Sequence, residues 1–145
     1  MCTHPVVLHV GDAPELEAFL AQRIYQFNAQ ATGYFDGECF SAAQRSGTGA
    51  IQGGITGYTW GGCCYVTNLW VDASERAKGL GRQLMRAAEE HARRVGCTVM
   101  FVDTHTFQAP GFYVRMGYRE LVAIDDHPVG HANLVFAKGL HAEEG

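Results

Sequence analysis

This chain of 145 residues contains no uninterrupted apolar run approaching membrane-spanning length, so no transmembrane helix is expected. Positive charge is scarce as well. Eleven Lys and Arg stand against 15 Asp and Glu, a net charge of −4, which argues against general nucleic-acid binding. Cysteines number only 5, an odd count without Cys-x-x-Cys spacing, so a disulfide framework is not expected. Cys63 and Cys64 are adjacent and would face opposite sides of a strand. Reduced thiols in a cytoplasmic protein fit this pattern. The opening Met1-Cys2-Thr3-His4-Pro5 is no signal peptide. Internal repeats, low-complexity tracts and linkers are also missing, so one compact domain over residues 1–140 is expected, with a frayed tail at 141–145.

What is present is an ordinary globular composition, 47% hydrophobic and 18% charged, with clear periodicities. Val6 to Val10 reads as a first short strand. Asp12-Ala13-Pro14-Glu15 reads as a helix start, with an Asp cap and Pro in the first turn. Leu16, Phe19, Leu20, Ile24 and Phe27 then recur at helical spacing as far as about Ala31. Phe40–Arg45, Ala50–Thr59 and Cys64–Val71 read as strands separated by Gly-rich turns. A helix over Leu80–Val95 should bury Leu80, Leu84, Ala88, Ala92 and Val95, with Glu89–Arg93 and Glu90–Arg94 pairs on its wet side and Gly96 as its stop. Val99–Val102 reads as a strand, Pro110–Met116 as a short helix, and Tyr118–Ile124 and Ala132–Ala137 as the last strands.

The segment Leu69-Trp70-Val71-Asp72-Ala73-Ser74-Glu75-Arg76-Ala77-Lys78-Gly79-Leu80-Gly81-Arg82 carries the most chemistry. A strand enters, a polar loop turns, and a helix leaves from the glycines, so free amides and a positive helix end converge. That combination binds phosphate or diphosphate. Arg76, Lys78 and Arg82 add charge. A Walker loop is excluded because Arg82-Gln83 follows Gly81, and a dinucleotide fingerprint because Leu84 stands where a third small residue belongs.

The pattern Arg76-x-x-Gly79-x-Gly81 resembles the acyl-CoA loop of the GNAT superfamily of N-acetyltransferases. Phe112-Tyr113-x-x-x-Gly117-Tyr118 resembles the same family's later helix and turn, in the right order and spacing. The resemblance implies an α/β (mixed α+β) fold, a central, mostly antiparallel sheet of about six to seven strands flanked by helices on both faces. It also implies an enzyme using acetyl-CoA as cosubstrate, direct attack by an amine in a ternary complex, and no metal.

On the same resemblance, main-chain groups of Arg76, Ala77, Lys78, Gly79, Leu80, Gly81 and Arg82 hold the diphosphate. Ala77 stands where many relatives have Gly, and its methyl is tolerable if φ is negative. Leu69, Trp70 and Val71 form the strand that splays from its neighbour and pairs with pantetheine. Phe112 accompanies the cofactor. The asparagine that relatives often carry before the tyrosine is replaced by Thr106, for which Thr106 or Gln108 would substitute. Tyr113 matches the tyrosine whose hydroxyl lies near the thioester sulfur and donates a proton. Relatives often place a Glu before the Leu-x-Val, whereas this chain has Thr67-Asn68. Asn68 cannot abstract a proton but can orient water or amine. Asp103 and His105 are alternative bases, and His titrates in a suitable range; a water chain to solvent is a third route.

Tyr25, Asn28, Tyr34, Asp36, Trp60 and His127 are the expected acceptor-side residues. Asp36, with Glu38, Asp125 and Asp126, would attract a cationic amine. His127 and His131 have His-x-x-x-His spacing without an obvious third ligand. The expected acceptor is a small-molecule amine, with a homodimer possible. An acyl-CoA sensor without catalysis, and an enzyme acetylating a protein lysine or N-terminus, remain open readings of the same residues.

Overall fold

The computed structural model describes residues 3–141. They fall into two units, one ending at Phe35 and one beginning at Asp36. In the first, residues 3–10 carry no regular structure, and Val6, Val7, Leu8 and Val10 are exposed. The expected first strand is therefore not formed. A strand takes its stability from a neighbour's ladder bonds, and the described residues of this unit include no other strand. Helix α1 spans Pro14–Thr32 and ends at Gly33, whose φ of 81° is left-handed and whose N–H reaches Ala29 O. Its cap is Ala13, with no side-chain hydrogen bond, rather than the expected Asp12. Pro14 pushes the residue before it into an extended conformation, which makes Ala13 the boundary.

The second unit is built on six strands: β1 Glu38–Arg45, β2 Ile51–Trp60, β3 Cys63–Val71, β4 Val99–His105, β5 Arg119–Asp125 and β6 Ala132–Gly139. Helix α2 is Leu80–Arg94 and α3 is Pro110–Arg115. The sheet order is β1-β2-β3-β4-β6-β5. Only β3–β4 is parallel; the other neighbours are antiparallel. A parallel neighbour needs a crossover, which α2 supplies between β3 and β4. Short antiparallel links need tight turns instead. Gly61 and Gly62, at φ 56° and 85°, provide the mirror-image turn that suits the strand twist between β2 and β3.

The core of the second unit lies between the sheet and helices α2 and α3. Leu80, Leu84, Met85, Ala88 and Ala92 of α2 pack with Ile55, Cys64, Val66, Met100 and Val102, and the cluster continues through Tyr113, Tyr118 and Phe136. Two expectations for α2 are overturned. Val95 is 44% exposed, because the helix ends one residue earlier. Glu89 is 3% exposed rather than on the wet side, and its partner is Lys138 at 3.0 Å rather than Arg93. The Glu90–Arg94 pair forms as expected, at 3.7 Å.

Along β4 burial alternates. Met100, Val102 and Thr104 are buried toward the helices, while Phe101, Asp103 and His105 point to the opposite face.

Candidate active site

The parallel ladder between β3 and β4 has four rungs, from Cys63↔Val99 to Val66↔Val102, and then stops. Both strands continue. Beyond the last rung β3 pairs only with β2, through Thr56↔Asn68, Ile55↔Leu69, Gly54↔Trp70 and Gly53↔Val71. Likewise β4 pairs only with β6, through Asp103↔Val135 and His105↔Asn133. The register of β3 slips at the same point: Val66 and Asn68 oppose consecutive residues of β2, leaving Thr67 as an extra residue. Such a bulge bends and twists its strand, here away from β4. The sheet opens as a V, and main-chain groups along Leu69–Val71 on that side have no strand partner, Val71 O being met instead by Arg76 Nε.

The loop at the end of β3 is shaped by its own side chains. Asp72 accepts hydrogen bonds from Ser74 N at 3.0 Å and from the Ser74 hydroxyl, which hold its carboxyl below the usual range. Arg76 Nε donates to Val71 O at 3.2 Å. Glu75 receives Gln52 Nε2 at 3.3 Å and lies 3.7 Å from Lys78 Nζ. The chain then passes through Ala77 at φ 61°, a left-handed conformation, contrary to the negative φ on which its methyl was expected to be tolerated. Gly79 follows at φ 86° and α2 begins with no side-chain cap. The N–H groups of Leu80, Gly81 and Arg82 therefore point out of the first turn with the helix dipole behind them. A Cβ on Gly81 would lie 3.5 Å from Phe112 Cζ and 3.8 Å from Val71 Cγ2, ordinary contacts that the fold itself would accept. Next to this loop, Arg82, Arg86, Arg115 and Lys138 line a cleft of about 600 Å³ between α2 and α3.

Tyr113 stands in α3 and is 7% exposed. Its ring packs on Phe112, Tyr118 and Phe136 at centroid distances of 5.1, 5.9 and 5.9 Å. Burial, reinforced by the negative charge of Asp103, pushes its phenol up to about 12. The phenol is therefore neutral across the physiological range and able to donate.

On the opposite face, at the mouth of the V, Asp103 accepts Tyr65 OH at 2.8 Å and Asn133 Nδ2 at 3.4 Å. Asn68 lies on β3 and donates from Nδ2 to Thr56 Oγ1 at 3.0 Å. His105 stacks on Phe107 at 5.2 Å and meets His127 edge-on at 5.3 Å. The structure thus brings Tyr65, Asp103 and Asn133 together, and His105 with His127.

Other expected residues have structural duties. Thr106 Oγ1 accepts Ala132 N at 3.2 Å and its N–H donates to Ala132 O, prolonging the β4–β6 pairing. Gln108 Oε1 accepts His105 N at 2.7 Å and Thr104 Oγ1 at 3.0 Å, closing the end of β4. Asp36 Oδ1 accepts Gly61 N at 3.0 Å, and Trp60 is in register with Cys63. Both belong to the hairpin end of the sheet, roughly 16 Å along β3 from Asn68 at about 3.3 Å per residue. Tyr25 and Asn28 lie on α1 and Tyr34 just beyond it, in the first unit. Among the described residues no group of three His, Cys, Asp or Glu is placed to hold a metal.

Tyr65 and Asn133 were not legible as site residues. They lie 38 and 30 positions from Asp103, and only strand register unites them. A Tyr in a strand and an Asn near a strand's start carry no local signal.

An opened sheet with an amide cradle at the end of one strand suits a phosphorylated carrier laid along that strand. A neutral phenol beside the opening suits a reaction that expels an anion. Together they define an acyl-transfer enzyme. Comparison with known proteins agrees. The description of the acetyltransferase (GNAT) family matches residues 8–118. Blasticidin-S acetyltransferase of Streptomyces morookaense is 43% identical over 93 residues, covering 63% of this chain and 68% of that protein. A crystal structure of an acetyltransferase from Bacillus cereus superposes with a TM-score of 0.77 at 32% identity, covering 91% of this chain and 97% of that one. A streptothricin acetyltransferase from Bacillus anthracis, crystallised with acetyl coenzyme A, shares the fold at a TM-score of 0.56 and 18% identity, over 63% and 57% of the two chains. The chain belongs to the GNAT acetyltransferase family and is an acyltransferase.

Proposed function

We propose that this enzyme transfers the acetyl group of acetyl-CoA to a primary amine of a small molecule, by direct attack in a ternary complex. The observation that carries this reading is the V between β3 and β4 beyond Val66↔Val102, with the amide cradle of Leu80–Arg82 at its end and Tyr113 beside it. The diphosphate takes the amides, and Arg82, Arg86 and Arg115 supply positive charge nearby. Pantetheine extends β3 by pairing with main-chain groups of Leu69–Val71. The 43% identity with an enzyme named for blasticidin S supports a small-molecule acceptor, and blasticidin S is the first acceptor to test.

In the reaction the amine nitrogen attacks the thioester carbonyl carbon, the C–S bond breaks, and the sulfur leaves with the electron pair. Thiols ordinarily ionise near roughly 8.5, well below a phenol pushed up to about 12. Tyr113 therefore stabilises the departing sulfur chiefly as a hydrogen-bond donor, with solvent completing protonation. An alkyl amine near roughly 10.4 arrives as ammonium and must lose a proton before attack. Asn68, fixed on Thr56, orients the amine or its water, and His105 or a water chain carries the proton away.

The test is release of CoA thiol from acetyl-CoA over a panel of small amines including blasticidin S, with calorimetric titration of acetyl-CoA alongside. Micromolar binding with amine-dependent thiol release is expected. Binding without release from any amine would overturn the proposal.

A further inference from the structure

We propose that Asp103, held by Tyr65 and Asn133, is the carboxylate that receives the acceptor's ammonium and selects cationic amines. This rests on the acetyl-transfer reading above and deepens it.

Position comes first. Asp103 is the residue of β4 immediately after the last rung, Val66↔Val102, so it stands where the V opens. Its side chain is exposed on the face opposite α2 and α3, while its neighbours Val102 and Thr104 are buried. A molecule reaching the opening from that face meets this carboxylate at the mouth.

Orientation is the second point. Tyr65 OH donates to Oδ1 at 2.8 Å and Asn133 Nδ2 to Oδ2 at 3.4 Å. The Tyr65 ring is itself stacked on Phe101 at 4.5 Å. Each carboxylate oxygen spends one lone pair on these neutral donors and keeps another. No ion pair of the described residues includes Asp103, so its charge is not neutralised by the protein.

A third observation is independent of both. Asn133 is 6% exposed, and its Oδ1 is buried without a hydrogen-bond donor. A buried acceptor left unmet costs about 1–3 kcal/mol. The other end of the Asn133 amide, Nδ2, is the part that faces Asp103, so the acceptors open to an incoming cation are the carboxylate's own. An ammonium with several donors on one centre matches two carboxylate oxygens better than a hydroxyl does.

The carboxylate is also near the chemistry, since its negative charge helps to raise the Tyr113 phenol. Its role is binding rather than proton removal. It holds the cation while His105 or water takes the proton.

The test is Asp103→Asn, which keeps the shape and still accepts from Tyr65. The expected result is a rise of about tenfold or more in KM for the amine, the scale of losing a charge-assisted hydrogen bond. Little change is expected in kcat, acetyl-CoA affinity or thermal midpoint. Tyr65→Phe, which leaves the charge in place, should raise KM only a few-fold. A measurement on the wild-type enzyme avoids any folding difficulty: a tertiary ammonium analogue of the best amine, which keeps one N–H and yields no stable amide, should compete at least tenfold better than its neutral carbon isostere. Equal competition, an unchanged KM, or a loss confined to kcat would each overturn the assignment while leaving acetyl transfer standing. A wild-type enzyme that turns over no amine defeats the acetyl-transfer reading, and this assignment with it.

Discussion

Lys138 Nζ lies 3.0 Å from Glu89 Oε2 and 2.9 Å from Met116 O, with Glu89 3% exposed. One ammonium thus joins α2, the end of α3 and β6 beneath the cleft next to the loop that opens α2, and Tyr118 OH adds a bond of 3.4 Å to the same carboxylate. Removing one partner of a buried pair strands the other, which costs more than the pair contributes. Lys138→Ala should destabilise the protein by about 3 kcal/mol, read from urea unfolding midpoints. Replacing both residues by Leu should recover most of that loss. A double variant as unstable as Lys138→Ala would show that the network contributes more than charge compensation.

Ala77 occupies a left-handed conformation, φ 61°, that costs an L-residue roughly 1–2 kcal/mol and glycine almost nothing. Glycine's greater freedom in the unfolded chain returns part of the difference. Ala77→Gly should therefore raise stability by about 0.5–1 kcal/mol and leave acetyl-CoA affinity equal or better. A destabilised Gly variant in chemical denaturation would show that the loop does not adopt this conformation in solution.

Gly81 is a position where packing alone decides the outcome. Its Cβ would make only ordinary contacts with Phe112 and Val71, and alanine favours a helix by about 1 kcal/mol over glycine. Gly81→Ala should therefore raise the thermal midpoint by about 1–3 °C and leave acetyl-CoA affinity within a few-fold by calorimetry. A lowered midpoint would show that the first turn of α2 packs more tightly on Phe112 and Val71 than these distances give.

Tyr113→Phe deletes the hydroxyl and keeps the packed ring. Loss of one donor to developing charge costs about a hundredfold or more, so kcat should fall by roughly that factor with acetyl-CoA affinity unchanged. Full turnover would assign the sulfur another donor.

Alkaline pH should unfold the protein in a defined window. Burial pushes the Cys64 thiol from 9.0 and the Tyr113 phenol from 10.0, each up to about 12. Both are raised acids, so the unfolded chain releases their protons first. Their contribution to stability is complete below about pH 9 and is lost as pH rises toward about 12. Guanidinium midpoints should decline across that range, and Tyr113→Phe should flatten the part above about pH 10. A pH-independent midpoint would contradict the burial of both groups.

Much of this architecture was legible from local patterns. The α2 stripe from Leu80 to Ala92, the strands flanking Gly61-Gly62, and the loop from Arg76 to Gly81 announce themselves within a few residues, because helical and strand periodicities are short-range properties. Errors arose where a local pattern depended on a partner. Val6–Val10 has a strand's composition but forms none, and Glu89 has a surface pair's spacing yet is buried against Lys138. Asp36 and Trp60 had plausible chemistry, but hairpin register sets them at the other end of β3.

The sequence by itself determined the helix α2, the strands from β1 to β6 and the glycine-opened loop before α2, since these depend on backbone freedom and neighbours a turn away. Only tertiary structure decided that β3 and β4 part after Val66 and Val102, and that Tyr65 and Asn133 close on Asp103. Those outcomes depend on register between strands distant in the chain, which no local composition encodes.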